Sequence, residues 1–347
     1  MGLFSSNQSY LGIDIGTSGI KVVELKKEGR EIKLLTYGFS ENANIKAHYD
    51  WYDNVVQTAK IINEICKKAG AVSRNAISAL PTFAVFSSVL NLTGVSGKDI
   101  DSAVRWEAKK VIPLPLEEMD LDWKKIEDGS NNKETKVLLM GAPKALVGKY
   151  VNIFKEAKIN LLSLETETFS LIRSLLGNDK STVMILEIGT NTTDISIINN
   201  KIPLLNRSID VGGITITNAI SNNLNIGLER AEQFKYDLGI SLMNSQDDNI
   251  VPQTILEAIN PIVNEVKYAI NLFQSKNENK VEKIILSGGS ALLPNLPEYL
   301  SKILDMKVII GDPWVRISYP TELKQLLTEI GPRMSVAIGL AMRNIWK

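Results

Sequence analysis

The chain has 347 residues, in which 39 Lys and Arg balance 39 Asp and Glu, with one His and one Cys. That length allows about two domains and a sizeable core, and the balanced charge, with no long run of one sign, excludes the broad basic footprint of a non-specific nucleic-acid binder. The single Cys66 excludes an intrachain disulfide and a Cys-rich zinc site and fits a reducing cytoplasm, and no apolar stretch reaches the roughly 20 residues of a membrane span.

Met1-Gly2-Leu3-Phe4-Ser5-Ser6 matches a myristoylation pattern of only three fixed positions, so the bland reading is preferred. Strands are predicted at 10–15, 20–25 and 32–39. His48 follows in a polar stretch and reads as a surface residue, so no histidine-based nucleophilic site is expected. The spacing of Val55, Ala59, Ile62, Cys66 and Ala69 predicts an amphipathic helix over 52–69, followed by a strand at 75–80 closed by Pro81. From 83 to 157 the pattern becomes strand (83–92), helix (99–112, ended by Pro113 and Pro115), a hairpin (121–127 and 135–142 around the polar turn 128–134) and helix (145–157). This reads as a compact insert. A strand at 159–164 and a helix at 167–176 return to the first domain. The second half opens with strands at 183–188, 194–198 and 203–209, then becomes mostly helical over 227–275. A strand at 284–286, a helix at 296–304 and a final helix at 333–346 complete the chain. Strands then helices in two related halves predict an α/β protein built by duplication.

One turn motif occurs in both halves. Ile13-Asp14-Ile15-Gly16-Thr17-Ser18 is echoed by Leu186-Glu187-Ile188-Gly189-Thr190-Asn191, each followed by a second apolar run. The pattern predicts two β-hairpins of one design, with a carboxylate at the end of the first strand. Glycine lets the backbone approach a ligand, turn N–H groups can form a concavity for anions, and the carboxylate can hold a hydrated Mg²⁺. A lone Asp-x-Gly turn is common in ordinary hairpins, but two copies facing each other would grip a polyphosphate from both sides.

Three features converge with the hairpins. The run 284–290 is a buried strand ending in Ser287-Gly288-Gly289-Ser290, where small residues leave room for a flat group such as a nucleobase; taken alone, it is more simply a tight strand–helix turn. Glu232 and Lys235 share a helical face and could bracket a ribose, or form an ordinary surface ion pair. Gly212 and Gly213 sit at a helix N-terminus, where backbone donors favour phosphate.

This order of motifs resembles the actin–Hsp70–sugar-kinase ATPase superfamily over essentially the whole chain. The resemblance implies an actin-like two-domain α/β fold that holds ATP and Mg²⁺ between its halves. It implies a first phosphate loop at Gly16, Thr17 and Ser18, with Lys21, and a second at Gly189, Thr190 and Asn191. Further nucleotide contacts would come from Gly212, Gly213, Glu232 and Lys235, and an adenosine loop from Gly288, Gly289 and Ser290. Asp14 would hold Mg²⁺ through water. Asp14, Glu187 and Asp194 would position metal-bound and hydrolytic water, with Glu165 as a further catalytic candidate; whether Glu165 or Glu167 faces the cleft stays open. Connecting helices are expected around 165–175 and 336–343.

Within the superfamily the chain is similar to the PilM family of type IV pilus assembly. The resemblance rests on Gly2-Leu3-Phe4 ahead of the run from Leu11-Gly12-Ile13-Asp14 to Glu24-Leu25, and on the Ala231-Glu232 and Lys235 segment. The insert at 83–157 matches the extra subdomain shared by PilM and FtsA. The implied parts are a first actin-like subdomain (1–82 and 158–178), the insert, a second actin-like subdomain (179–213 and 282–347) and a helical subdomain (214–281). The implied role is a cytoplasmic scaffold, peripheral at the inner face of the membrane. It would dock the cytoplasmic tail of a PilN-type membrane protein, with pilus motor ATPases as further partners, and would neither insert into the membrane nor bind nucleic acid. Trp106 and the segment 112–116 are candidate groove wall, although core packing is favoured for Trp106. Glu187 departs from the usual Asp of the second loop. Its longer side chain shifts the carboxylate and implies slow or negligible hydrolysis. A small-molecule kinase, an FtsA-like cell-division scaffold and a type II secretion scaffold remain alternatives.

Overall fold

The computed structural model describes residues 8–41, 51–95, 97–126, 134–240, 250–276 and 279–346. The Gly2-Leu3-Phe4 start with its myristoylation pattern, His48 and most of the polar turn (128–133) lie outside the described residues. In chain order the first half runs β1 (Ser9–Gly16), β2 (Gly19–Glu28), β3 (Glu31–Glu41), α1 (Val55–Ala69), β4 (Asn75–Leu80), β5 (Phe86–Thr93), α2 (Ile100–Val111), β6 (Met119–Lys125), β7 (Glu134–Pro143), α3 (Lys144–Glu156), β8 (Asn160–Thr166) and α4 (Glu167–Leu171). The second half runs β9 (Val183–Ile188), β10 (Thr193–Asn199), β11 (Ile202–Ile209), α5 (Gly213–Leu224), α6 (Leu228–Leu238), α7 (Ile250–Lys276), β12 (Lys283–Ser287), α8 (Leu296–Leu304), β13 (Lys307–Ile310) and α9 (Lys324–Met342).

The duplication read from two short motifs extends to whole sheets. One has the order β3-β2-β1-β4-β8 and the other β11-β10-β9-β12-β13. In each, three antiparallel strands form a meander, and the first strand then pairs in parallel with a crossover strand. The first strand is central in both, which is why its C-terminal turn emerges beside the crossover strands rather than at an edge. Between β4 and β8 lies a separate three-stranded antiparallel sheet, β5-β7-β6, covered by the Ile100, Val104 and Ala108 face of α2. α3 instead packs Tyr150, Ile153 and Phe154 into the core of the first sheet, beside Ala59 and Ile62 of α1.

α4 continues as a π-helical turn through Leu176, and this segment and α9 lie between the two sheets in a shared apolar layer with β4, β9 and β12. The two helices cross so closely at Gly339 that a Cβ there would overlap the backbone of Ser170. Two elements differ from the sequence reading. β13 was not foreseen, because four residues give too short an alternation to register. α9 begins nine residues before the predicted start at Arg333 and runs through Pro332. Packing overrides the proline here: every residue from Pro332 to Met342 except Arg333 is buried, and the Pro332 carbonyl accepts the Gly288 N–H at 3.0 Å.

Trp106 also departs from expectation. It is 64% exposed, with the Lys110 ammonium 5.9 Å from its ring centroid. It follows Val104 by two residues, which turns it away from the buried face of α2.

Candidate nucleotide cleft

The two predicted hairpins form, and their turns line one cleft between the halves. In β1–β2, Gly16 pairs with Gly19 across the two-residue turn Thr17-Ser18, and Asp14 stands opposite Lys21 with Oδ2 3.0 Å from Nζ. In β9–β10, Ile188 pairs with Thr193 across the longer turn 189–192, closed by the Gly189 N–H to the Thr192 carbonyl at 2.9 Å, and Glu187 stands opposite Asp194. The backbone plan repeats, but the charges do not. The first hairpin sets acid against base and the second sets acid against acid.

The first loop is braced by aromatic side chains. The Tyr52 hydroxyl donates to the Ile15 carbonyl at 3.1 Å and the Trp51 indole N–H to the Thr17 carbonyl at 3.4 Å. Because a trans peptide points C=O(i) and N–H(i+1) in opposite directions, holding the Thr17 carbonyl turns the Ser18 N–H away from Trp51. Tyr52 in turn stacks on Tyr150 of α3, with centroids 5.3 Å apart.

Glu167, Glu187 and Asp194 bring carboxylate oxygens within 4.8 Å of one another. Glu167 Oε2 accepts the Thr82 N–H at 2.8 Å and its hydroxyl at 3.1 Å; Asp194 accepts from the Ser208 hydroxyl; Glu187 Oε2 is buried without a hydrogen-bond partner. Burial, then the charges of Asp194 and Asp14, push Glu167 up to about 8, and burial pushes Asp194 up to about 6. Burial and the neighbouring carboxylates hold Glu187 well above the usual carboxylate range. Burial opposes the Lys21 charge, but Asp14 and, farther off, Glu187 and Glu167 together raise its pKa. Crowded hard oxygen donors with an orphaned carboxylate oxygen suit a hydrated Mg²⁺. The residues present fit that ion.

On the opposite wall the glycines at the start of α5 act differently from the sequence reading. The Gly213 N–H donates to the Gly189 carbonyl and the Ile214 N–H to the Thr190 carbonyl, both at 2.9 Å, while the Gly212 N–H is taken by the Thr215 hydroxyl. These amides are therefore spent on holding the second loop, not left for phosphate. A Cβ on Gly212 would stand 2.5 Å from the Thr190 carbonyl oxygen, so glycine is needed for that contact. Gly212 accordingly lies behind the loop and does not line the cleft, whereas Gly213 does.

The Glu232–Lys235 pair is no surface ion pair. The Lys235 side chain is 2% exposed, with Nζ 2.7 Å from Glu232, 3.0 Å from the Thr217 hydroxyl and 3.3 Å from the Gly213 carbonyl. Burial lowers its pKa despite Glu232.

The cleft measures about 780 Å³, within the range of small-molecule sites. Asp14, Gly16, Thr17, Ser18, Lys21, Glu187, Gly189, Thr190, Asn191 and Asp194 line it, joined on the far side by Gly213, Glu232, Lys235, Gly288, Gly289 and Ser290. The structure corrects the candidate Glu165. It does not line the cleft and is paired with Arg173 at 2.8 Å and Arg343 at 3.1 Å, where it joins the π-helical turn that follows α4 to the residue just after α9. Glu167 is the carboxylate of that segment that lines the cleft. The sequence reading missed Tyr52, Thr82 and Arg333, none of which belongs to a local motif.

A structure described as the PilM-PilN type IV pilus biogenesis complex superposes with a TM-score of 0.82, at 22% identity, covering 98% of this chain and 99% of that one. MreB 5 of Spiroplasma citri bound to AMPPNP matches with a TM-score of 0.55 at 14% identity, covering 96% and 95%. The fold is that of the actin-like ATPases. In sequence, the cell division protein FtsA of Bacillus subtilis is 21% identical, covering 98% of this chain and 85% of that one. The family described as type IV pilus assembly protein PilM matches residues 12–345, and the chain belongs to that family. Among the described residues no helix is long and apolar enough to cross a membrane.

Proposed function

We propose that the protein is an ATP- and Mg²⁺-binding scaffold of type IV pilus assembly, in which nucleotide in the cleft tunes docking of a PilN-type cytoplasmic tail. The observation that carries the reading is the meeting of two hairpin loops, from two sheets of identical topology, around one cleft. A single polyphosphate touching both loops would bridge the halves. In this reading the halves are the parts at 1–82 with 158–178 and at 179–213 with 282–347, the insert spans 83–157, and 214–281 is the helical part. The protein works at the cytoplasmic face of the membrane through its partner, and motor ATPases of the pilus are further candidate partners. Hydrolysis is slow or negligible, since Glu187 replaces the shorter acid of the second loop.

The insert is tied to the cleft at both ends, which supports coupling. Thr82, at its entrance, donates twice to Glu167, and Tyr150, near its exit, stacks on the Tyr52 that braces the first loop. A ligand shifts closure only by its differential affinity for the open and closed states, and the effect is reciprocal. Calorimetry of the tail peptide with and without MgATP should therefore give a coupling of roughly 5–150-fold, with ATP affinity changed by the same factor when peptide is present. Equal peptide affinity in both conditions would reduce the nucleotide to a structural role, and absence of ATP binding would defeat the reading outright. Two neighbouring glycines sharpen the assignment. A Cβ on Gly289 meets only Arg333, at 3.5 Å, whereas one on Gly288 meets the Ile188 carbonyl at 2.4 Å at a φ of +84°. Gly289→Val should abolish ATP binding with the ligand-free Tm unchanged, while Gly288→Ala should lower that Tm.

A further inference from the structure

α2 uses only one of its faces in the fold. Ile100, Val104 and Ala108 pack on the β5-β7-β6 sheet, whereas Trp106 points outward and is the one exposed tryptophan among the five in the chain. Lys109 and Lys110 follow it by three and four residues, and Arg105 lies one turn before Lys109, so three cations share the outward side with the indole. The nearer acids of the helix are engaged. Asp101 accepts the Trp123 indole N–H at 2.8 Å, and Glu107 pairs with Lys110 at 2.7 Å. Arg105 and Lys109 have no ion-pair partner among the described residues, and the exposed Asp99 stands about two turns before Trp106. At the other end of the helix, Val111 and then Leu114, set between Pro113 and Pro115, add exposed apolar surface.

An indole flanked by long cationic side chains has two chemical needs, an amphipathic place for the ring and anions for the charges. A protein partner would have to supply a pocket and acids spaced to match a convex helix. An anionic bilayer surface supplies both everywhere, since tryptophan favours the headgroup level and Lys and Arg are drawn to acidic lipids. The chain as a whole is neutral, so such attraction would come from this patch and would orient the molecule.

We infer that this face of α2 is a direct contact with an anionic lipid surface, the Trp106 ring lying among the headgroups and Arg105, Lys109 and Lys110 reaching lipid phosphates. This goes beyond the scaffold reading, in which a partner alone holds the chain at the membrane, and it requires neither nucleotide nor tail peptide. The apolar face of α2 is already used in the core, so the contact is shallow and inserts no helix. Three cations and one ring bind weakly alone, and act as the second of two signals on a chain that is also tethered.

The test sediments the full ligand-free chain at low salt, where screening is weakest, with vesicles of phosphatidylcholine alone or mixed with phosphatidylglycerol. The chain should sediment with the mixed vesicles only. Arg105→Gln combined with Lys109→Gln should weaken binding roughly 30-fold, and Trp106→Ala roughly tenfold, with Tm unchanged. If the alanine variant loses stability, the Arg105 and Lys109 pair carries the test. Brominated phosphatidylcholine in the mixed vesicles should quench wild-type fluorescence, and Trp106→Phe should abolish that quenching. Failure to sediment with anionic vesicles, equal binding to neutral ones, or binding that the variants leave intact would overturn the inference. Capture of polyglutamate in place of vesicles would also overturn it, and would assign the face to an acidic protein. None of these outcomes touches the nucleotide reading, which stands or falls on ATP binding.

Discussion

The two hairpins share register, sheet position and motif, yet differ in what they hold. Asp14 faces Lys21 across the first, while Glu187 faces Asp194 across the second, with Glu167 closing on the same pair. Opposite charges across an antiparallel pair stabilise it, and like charges there destabilise it. The first hairpin is therefore electrostatically complete, whereas the second stores repulsion that protons or a cation would relieve. They also differ in support. The carbonyls of the first loop are held by side chains, Tyr52 and Trp51, and those of the second by main-chain amides at the start of α5. Duplication preserved the backbone and divided the chemistry: one loop balanced and mechanically linked to the insert, the other acidic and suited to a metal.

The largest test of this contrast is a pair of substitutions with opposite signs. Asp14→Ala removes the partner of a mostly buried lysine and should cost about 3 kcal/mol of stability, the low end for breaking a buried pair because Lys21 retains some exposure. Glu187→Gln removes like-charge repulsion and should stabilise the ligand-free protein by about 1 kcal/mol while weakening its response to Mg²⁺. Denaturant unfolding near pH 7.5 measures both, and two losses of equal size would erase the asymmetry.

A smaller effect should appear in pH dependence. Glu167, raised to about 8, and Asp194, raised to about 6, bind protons more tightly folded than unfolded. Their contribution to stability is thus fully present below the ordinary carboxylate pKa and is lost as pH rises toward 8. The ligand-free Tm should fall between pH 5 and pH 8, and Mg²⁺ or Glu187→Gln should flatten the slope. A Tm that rises over that window would place the acids elsewhere.

The smallest effect belongs to the brace on the first loop. Tyr52→Phe keeps the stack on Tyr150 but removes one hydrogen bond to Ile15, so ATP affinity should drop roughly fivefold, as expected for about 1 kcal/mol. Calorimetry resolves that change, and unaltered affinity would mean the loop holds its shape without the hydroxyl.

Much of this was legible because the signals were local. The strands at 75–80 and 183–188 were delimited by flanking breakers and apolar runs, and Gly16 and Gly189 marked both turns. What failed depended on neighbours distant in sequence. The donors of Gly212 and Gly213 looked available until their acceptors, the Thr215 hydroxyl and the Gly189 carbonyl, came into view. Glu165 and Glu167 are equivalent in sequence, and only the positions of Arg173 and Arg343 show which of them is paired away from the cleft. Trp106 was misjudged because its size suggests burial while its angular position on α2 decides exposure.

The duplicated α/β plan, the two matching hairpin turns and the membership of the chain in its family were written in the residue order, because periodicity, turn glycines and motif order are properties of neighbouring residues. Only the tertiary structure decided which carboxylates converge, which amides are already spent, and that Arg333 reaches the glycine turn. Those outcomes depend on where helices cross and on how burial and charge act over a few ångströms of space, distances that the order of residues along the chain does not encode.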